Sequence, residues 1–166
     1  FAAKSYEAAI NDYTKASGIM PNEVYPQDQI KKAQAALSAA AAQAEKDKKY
    51  NDLITAADGK FGAKDYQAAI SLYRDAINIK PSEAYPKDQI AKAEAALDAL
   101  AKAKEDEARY NELVSAGDTQ FAAEKYNEAI AKYQEALGIK SDASYPKDQI
   151  SKAQGILDQI ARDAKR

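Results

Sequence analysis

Tyr85-Pro86-Lys87-Asp88-Gln89-Ile90 organises this chain, because it occurs three times. Tyr25-Pro26-Gln27-Asp28-Gln29-Ile30 lies 60 residues before it, and Tyr145-Pro146-Lys147-Asp148-Gln149-Ile150 lies 60 residues after it. Proline at a helix start is preset in φ and lacks an N–H that would have no partner there. Asp88 falls in the first turn, where negative charge meets the positive helix end. Each string therefore reads as a helix start, with Tyr85 expected to be extended just ahead of Pro86.

Downstream of the string nothing stops the helix. From Pro86 to Phe121 there is no further proline and the only glycine is Gly117, so a single helix of 36 residues is expected. At 1.5 Å per residue that is roughly 54 Å. Pro26 to Phe61 is its twin, with Gly59 near the end, and Pro146 to Arg166 is a shortened third. The first half carries an apolar stripe at Ile90, Ala93, Leu97 and Leu100, and the last part a second one at Tyr110, Leu113, Val114, Gly117 and Phe121. Between them Lys102–Arg109 has almost none. Lys102 with Asp106 and Glu105 with Arg109 are spaced for i,i+4 pairs, each contributing only a few tenths of a kcal/mol. That stretch reads as a solvated connector, or alternatively as a charged docking face. Ala33, Ala36, Ala40, Ala93 and Ala96 would let a neighbouring helix approach closely.

Upstream lies a shorter helix. Tyr66, Ala69, Ile70, Tyr73, Ala76 and Ile77 recur at spacings of three and four, one apolar face over roughly four turns. Asp65 stands at the N-cap position, as does Ser5 in the first copy; Lys125 makes a weaker cap in the third. Pro81 lies just beyond the helix end. The end of one long helix, the next short helix and the start of the next long helix can bury their faces together. The expected fold is all-α: an elongated helical repeat array in which helix pairs are linked by long continuous helices.

The period accounts for every aromatic residue: Phe1, Phe61, Phe121; Tyr6, Tyr66, Tyr126; Tyr13, Tyr73, Tyr133; Tyr25, Tyr85, Tyr145; and Tyr50, Tyr110. Residues 1–60 and 61–120 match at 30 positions. One local packing role has to serve each set, so these rings are expected in the core. The chain divides into repeat 1 at residues 1–60, which starts within a unit, repeat 2 at 61–120, and a truncated repeat 3 at 121–166. Uncapped ends and divergence between copies lead us to expect a segment of a longer natural array.

Composition narrows the chemistry. The chain has no Cys, no His and no Trp. The usual transition-metal ligand sets and the Ser-His and Cys-His nucleophile pairs are therefore unavailable. A net charge of −2 gives no basic footprint for nucleic acid. The apolar run Ala33–Ala44, interrupted by Gln34, Ser38 and Gln43, falls short of a bilayer span, and no secretory leader is evident in the first residues. Gly59-Lys60-Phe61-Gly62 lacks P-loop spacing, no calcium loop is present, and nothing places two carboxylates in a pocket. No catalytic, metal or cofactor site is expected.

The short helix and its approach resemble a tetratricopeptide repeat. The residues carrying the resemblance are Gly117, Phe121, Tyr126, Ala129, Tyr133, Ala136, Leu137 and Ile139; then Ala57, Phe61, Tyr66, Ala69, Tyr73, Ala76, Ile77, Ile79 and Pro81; and Tyr6, Ala9, Tyr13, Ala16, Ile19 and Pro21. Where the family has an aromatic near the start of its first helix, this chain has Leu53 or Leu113. The family repeats every 34 residues, so about 26 are added here, about seven helical turns. That departure implies that the family's continuous concave groove is broken up. The Tyr-Pro-Lys-Asp-Gln-Ile string also resembles repeats of long cell-envelope proteins of Bacteroidetes-type bacteria, which implies a cell-envelope or extracellular setting.

The resemblance implies a peptide-binding face on the first helix of each pair. By position this face is Asn51, Ile54, Thr55, Asp58 and Phe61, and Asn111, Val114, Ser115, Asp118 and Phe121. Its polar members are the candidate partner-binding residues: Asn51, Thr55, Asp58, Asn111, Ser115 and Asp118. The family's carboxylate clamp needs Lys and Asn where this chain has Ile54 and Asp58, or Val114 and Asp118, which argues against such a clamp. The two aspartates would favour a cationic or amide-rich ligand; the alternative is that all six are solvated helix-face residues. The expected function is a non-enzymatic scaffold or spacer segment that meets a protein partner. The alternative is a self-assembling filament or surface-structure subunit, since uncapped, repeat-complementary ends permit head-to-tail contacts. Partners are thus a protein or a second copy through helical faces, with no nucleic acid and no membrane-spanning segment.

Overall fold

The computed structural model describes the backbone of residues 2–166 and the side chains of residues 5–166. The chain is all-α, with six helices and no strand among the described residues. They are α1 (Ala2–Ile19), α2 (Val24–Gly62), α3 (Tyr66–Ile79), α4 (Tyr85–Ala122), α5 (Tyr126–Ile139) and α6 (Ser144–Asp163). The chain forms two compact units, one ending at Ala95 and the other starting at Ala96. Among the described residues no helix is long and apolar enough to cross a membrane. Phe1, the first member of the phenylalanine set, lies outside the described residues.

The long helices have the expected extent, 39 residues for α2 and 38 for α4. Their first turns differ from expectation. Tyr85 is the first residue of α4 rather than an extended residue before it, and Tyr25 and Tyr145 lie one residue inside α2 and α6. Pro26, Pro86 and Pro146 thus sit at the second or third helical position. That is still within the four N–H groups that have no intrahelical acceptor, so the missing donor costs nothing. The helical conformation that proline disfavours in Tyr85 is offset by what its side chain gains, described below.

The link from α2 to α3 is a three-residue turn. Lys64 takes a left-handed conformation (φ 61°), and its N–H donates to Phe61 O at 2.9 Å while Asp65 N–H donates to Lys60 O at 2.9 Å. This is a Schellman closure, which satisfies helix-end carbonyls. Glu124 (φ 58°) repeats it between α4 and α5, with Glu124 N–H to Phe121 O at 3.0 Å and Lys125 N–H to Gln120 O at 2.9 Å. Asp65 then caps α3 by accepting from Ala68 N–H at 3.4 Å, whereas Lys125 makes no side-chain cap. Ser5 is not a cap: α1 runs from Ala2 straight through it. In the second copy the turn before the cap hangs on the carbonyls of Lys60 and Phe61.

In the unit ending at Ala95, α1 packs against α2 and α2 against α3. The core there is Ala57, Ala69 and Tyr73, flanked by Ile54 and Phe61 of α2, Leu72 of α3 and Ile90 of α4. The end of one long helix, a short helix and the start of the next long helix therefore bury one another, as their stripes predict. In the unit starting at Ala96, Ala129, Tyr133, Ala136 and Ala153 are fully buried. Alanines recur in this core because rings as large as Tyr73 and Tyr133 fill the space between helices, and only a methyl fits opposite. The extreme case is Gly117, where an added Cβ would fall 2.5 Å from the Tyr133 ring.

The side chains of residues 98–109 are all exposed. The expected pairs Lys102–Asp106 and Glu105–Arg109 do not form. Equally exposed i,i+4 pairs do form in α2, Lys48 with Asp52 at 2.9 Å and Lys49 with Glu45 at 2.8 Å, so the spacing permits a solvated pair without requiring one. The one ion pair of this stretch is Glu107 with Lys140 of α5.

Candidate functional site

Asp58 lies on α2 one residue after Ala57, at the edge of the apolar stripe. Its Oδ1 accepts two hydroxyls, Tyr73 Oη of α3 at 2.6 Å and Tyr85 Oη of α4 at 2.9 Å. One carboxylate oxygen thereby ties three helices. The two rings meet edge to face at 6.4 Å. Asp118 does the same sixty residues on, accepting Tyr133 Oη of α5 at 2.7 Å and Tyr145 Oη of α6 at 2.8 Å, with those rings also edge to face at 6.4 Å. These bonds hold Tyr85 and Tyr145 in their helical first turns.

The environment raises the pKa of all four hydroxyls, making them weaker acids. Burial is the larger cause for Tyr73 and Tyr133, followed by the bond to the carboxylate, and both lie well above the ordinary tyrosine range. For Tyr85 and Tyr145, which face solvent on one side, the bond to Asp58 or Asp118 comes first and burial second. Each phenol thus stays protonated and donates.

A second cluster recurs with the same period. Lys80, the C-cap of α3, pairs with Asp47 of α2 at 2.8 Å and lies over the Tyr50 ring, 4.7 Å from its centroid. Lys140, the C-cap of α5, pairs with Glu107 and lies 4.4 Å over the Tyr110 ring. The lysine holds its carboxylate partner, Asp47 or Glu107, below the ordinary range chiefly through the direct hydrogen bond. The helices α3 and α5 end at the same place although Pro81 is replaced by Ser141, so this lysine clamp, not the proline, is the feature the two ends share.

The six candidate partner-binding residues separate into two groups. Asp58 and Asp118 point toward their own tyrosines. Asn51, Thr55, Asn111 and Ser115 are exposed on the same helices. The Thr55 hydroxyl donates to Asn51 O at 2.9 Å, and Ser115 O accepts from Thr119 at 2.8 Å, both ordinary bonds back along the helix. Asp58 is itself exposed and Asp118 half-buried, so the clamp carboxylates sit at the surface of the cluster, bonded to the tyrosines beside the other polar groups of the face. Sequence reasoning missed the clamp. Its signal was the joint recurrence of Asp58, Tyr73 and Tyr85 at Asp118, Tyr133 and Tyr145. Among the described residues no cluster of three or more acidic side chains is placed to hold a metal ion. No protein-family model and no curated protein matches the chain.

Proposed function

We propose that the chain is a non-enzymatic scaffold, a tetratricopeptide-like repeat segment that presents helical faces to a protein partner or spaces other parts of a longer repeat protein. The observation that carries this reading is the use of its reactive-looking groups. Asp58 and Asp118, with four tyrosines, spend their hydrogen bonds joining helices. What each unit also presents is an exposed polar helix face, Asn51 and Thr55 in the unit ending at Ala95, and Asn111 and Ser115 together with the exposed stretch 98–109 in the other. A surface of that kind supports contact with another macromolecule and not turnover of a small one. The cell-envelope setting belongs to the same proposal and rests on the Tyr-Pro-x-Asp-Gln-Ile string.

Small-angle scattering of the purified chain tests the spacer reading: an extended particle is expected, and a compact globule overturns it. For the binding face, Asn51→Ala with Asn111→Ala is the informative variant, since both positions are exposed. Asp118→Ala is not, because it would break the clamp as well as the surface.

A further inference from the structure

We infer that α4 pairs, antiparallel, with the α4 of a second copy of this chain through the row Asp98, Lys102, Glu105 and Arg109. This rests on the scaffold reading above and names its partner.

Helix geometry makes these residues a row. Spacings of four, three and four, at about 100° per residue, keep all four on one face. Their charges alternate negative, positive, negative, positive. Turned end for end against itself, such a row sets every charge against its opposite. Asp98 meets the second copy's Arg109, Lys102 meets its Glu105, and the two-fold axis repeats both contacts. Laid parallel and in register, each charge meets its own kind, so the row rejects that orientation. A two-fold contact closes on itself and gives a dimer, not a fibre.

The chain leaves these charges free. All four side chains are exposed, and none enters an ion pair among the described residues. Glu107, which reaches Lys140 of α5, lies about 200° round the helix from Glu105. The side of α4 that faces α5 is therefore the side away from the row. Ala101 and Ala108 border the row and let a second backbone come close. The corresponding positions of α2 are Ser38, Ala42, Glu45 and Lys49, and there Glu45 pairs with Lys49 inside its own helix. A feature needed for packing within a repeat would recur in each copy, and this row does not.

Exposed ion pairs are individually weak, and about a dozen residues a side is less than a standard interface. The dimer is accordingly weak, with a Kd on the order of 1 mM at low salt. Chains running in opposite directions would meet side by side through it.

The test follows the amide NMR spectrum of the full chain from about 0.05 to about 2 mM in low-salt buffer. Concentration-dependent shifts confined to residues 94–113 are expected, and about 0.5 M salt should weaken the association about tenfold. Lys102→Glu with Arg109→Glu makes the row wholly negative, and Asp98→Lys with Glu105→Lys makes it wholly positive. Each double variant alone should lose the shifts, and a one-to-one mixture should regain them. Orientation is read on the unaltered row. The chain has no Cys, so Ala95→Cys carries a single nitroxide, which should broaden amides near Glu112 of an isotope-labelled copy. Shifts that ignore concentration or fall elsewhere, a double variant that associates like the unaltered chain, a mixture that stays apart, or broadening centred on residue 95 overturns the inference. An extended particle with any of those results leaves the scaffold reading standing. A compact globule that pairs through the row does the reverse.

Discussion

The second tyrosine pair, Tyr73 with Tyr85, and the first, Tyr13 with Tyr25, stand at equivalent positions and differ in one partner. Where a carboxylate is present, the inner ring is sealed and the outer ring is pinned to it. Where it is not, the same rings touch at much the same distance but stay partly open. The rings therefore meet edge to face in both places, and in the second the end of α2 adds both the apolar cover of Ile54, Ala57 and Phe61 and the accepting carboxylate of Asp58.

Alkaline pH is expected to break the comparison most strongly, because four hydroxyls respond together. Tyr73, Tyr85, Tyr133 and Tyr145 all have raised values in the folded state, so the fold holds these protons more tightly than the unfolded chain does. Their contribution is fully present below the unfolded value of about 10 and is lost as pH rises through the folded values. Helicity followed by circular dichroism should fall together with the appearance of tyrosinate absorbance. Unchanged helicity after all tyrosines have ionised would mean that the clamps carry no weight.

Next in size is removal of the inner ring. Tyr133→Ala is expected to cost about 3–5 kcal/mol, as for other fully buried aromatics. Tyr13→Ala, at a half-open site, should cost about 1–2 kcal/mol. Urea melts of the two variants give the ratio, and equal losses would show that the third helix adds nothing. Asp118→Ala leaves the rings and takes away their acceptor. Tyr145 can turn to water while the buried Tyr133 hydroxyl is stranded, so about 1–3 kcal/mol should be lost. Smallest is Lys140→Met, which copies the first repeat's Met20 into the third. Losing one half-exposed ion pair and one cation–π contact should cost about 0.5–1 kcal/mol, visible as a small drop in Tm.

Helix type and extent could be read directly, because apolar residues at spacings of three and four need no tertiary context. So could the three-helix packing, since three separate stripes had to find partners. Asp58 was harder. It borders the stripe of Ile54, Ala57 and Phe61, and a border position looks the same in one helix whether it faces a ligand or a neighbouring helix. Only the positions of Tyr73 on α3 and Tyr85 on α4 settle that its exposed carboxylate bonds to neighbouring helices. Tyr85 was misjudged for a related reason: the local effect of Pro86 is extended backbone, and a hydrogen bond from another helix outweighs it. The charged pairs around Lys102 failed because spacing permits a pair without stabilising it enough to form.

The exposed stretch 98–109 has a mechanical consequence. Apart from the tie between Glu107 and Lys140, its helical state rests on its own backbone ladder and on the intrinsic preference of Ala, Lys and Glu for helix. A helical piece of about a dozen residues is marginal when left to itself. Thermal fluctuation will open these turns long before either core yields, so amide exchange should be fastest here. Trypsin, for which Lys102, Lys104 and Arg109 are cleavage points, would make its first cut inside the longest uninterrupted helix of its unit and not at a loop.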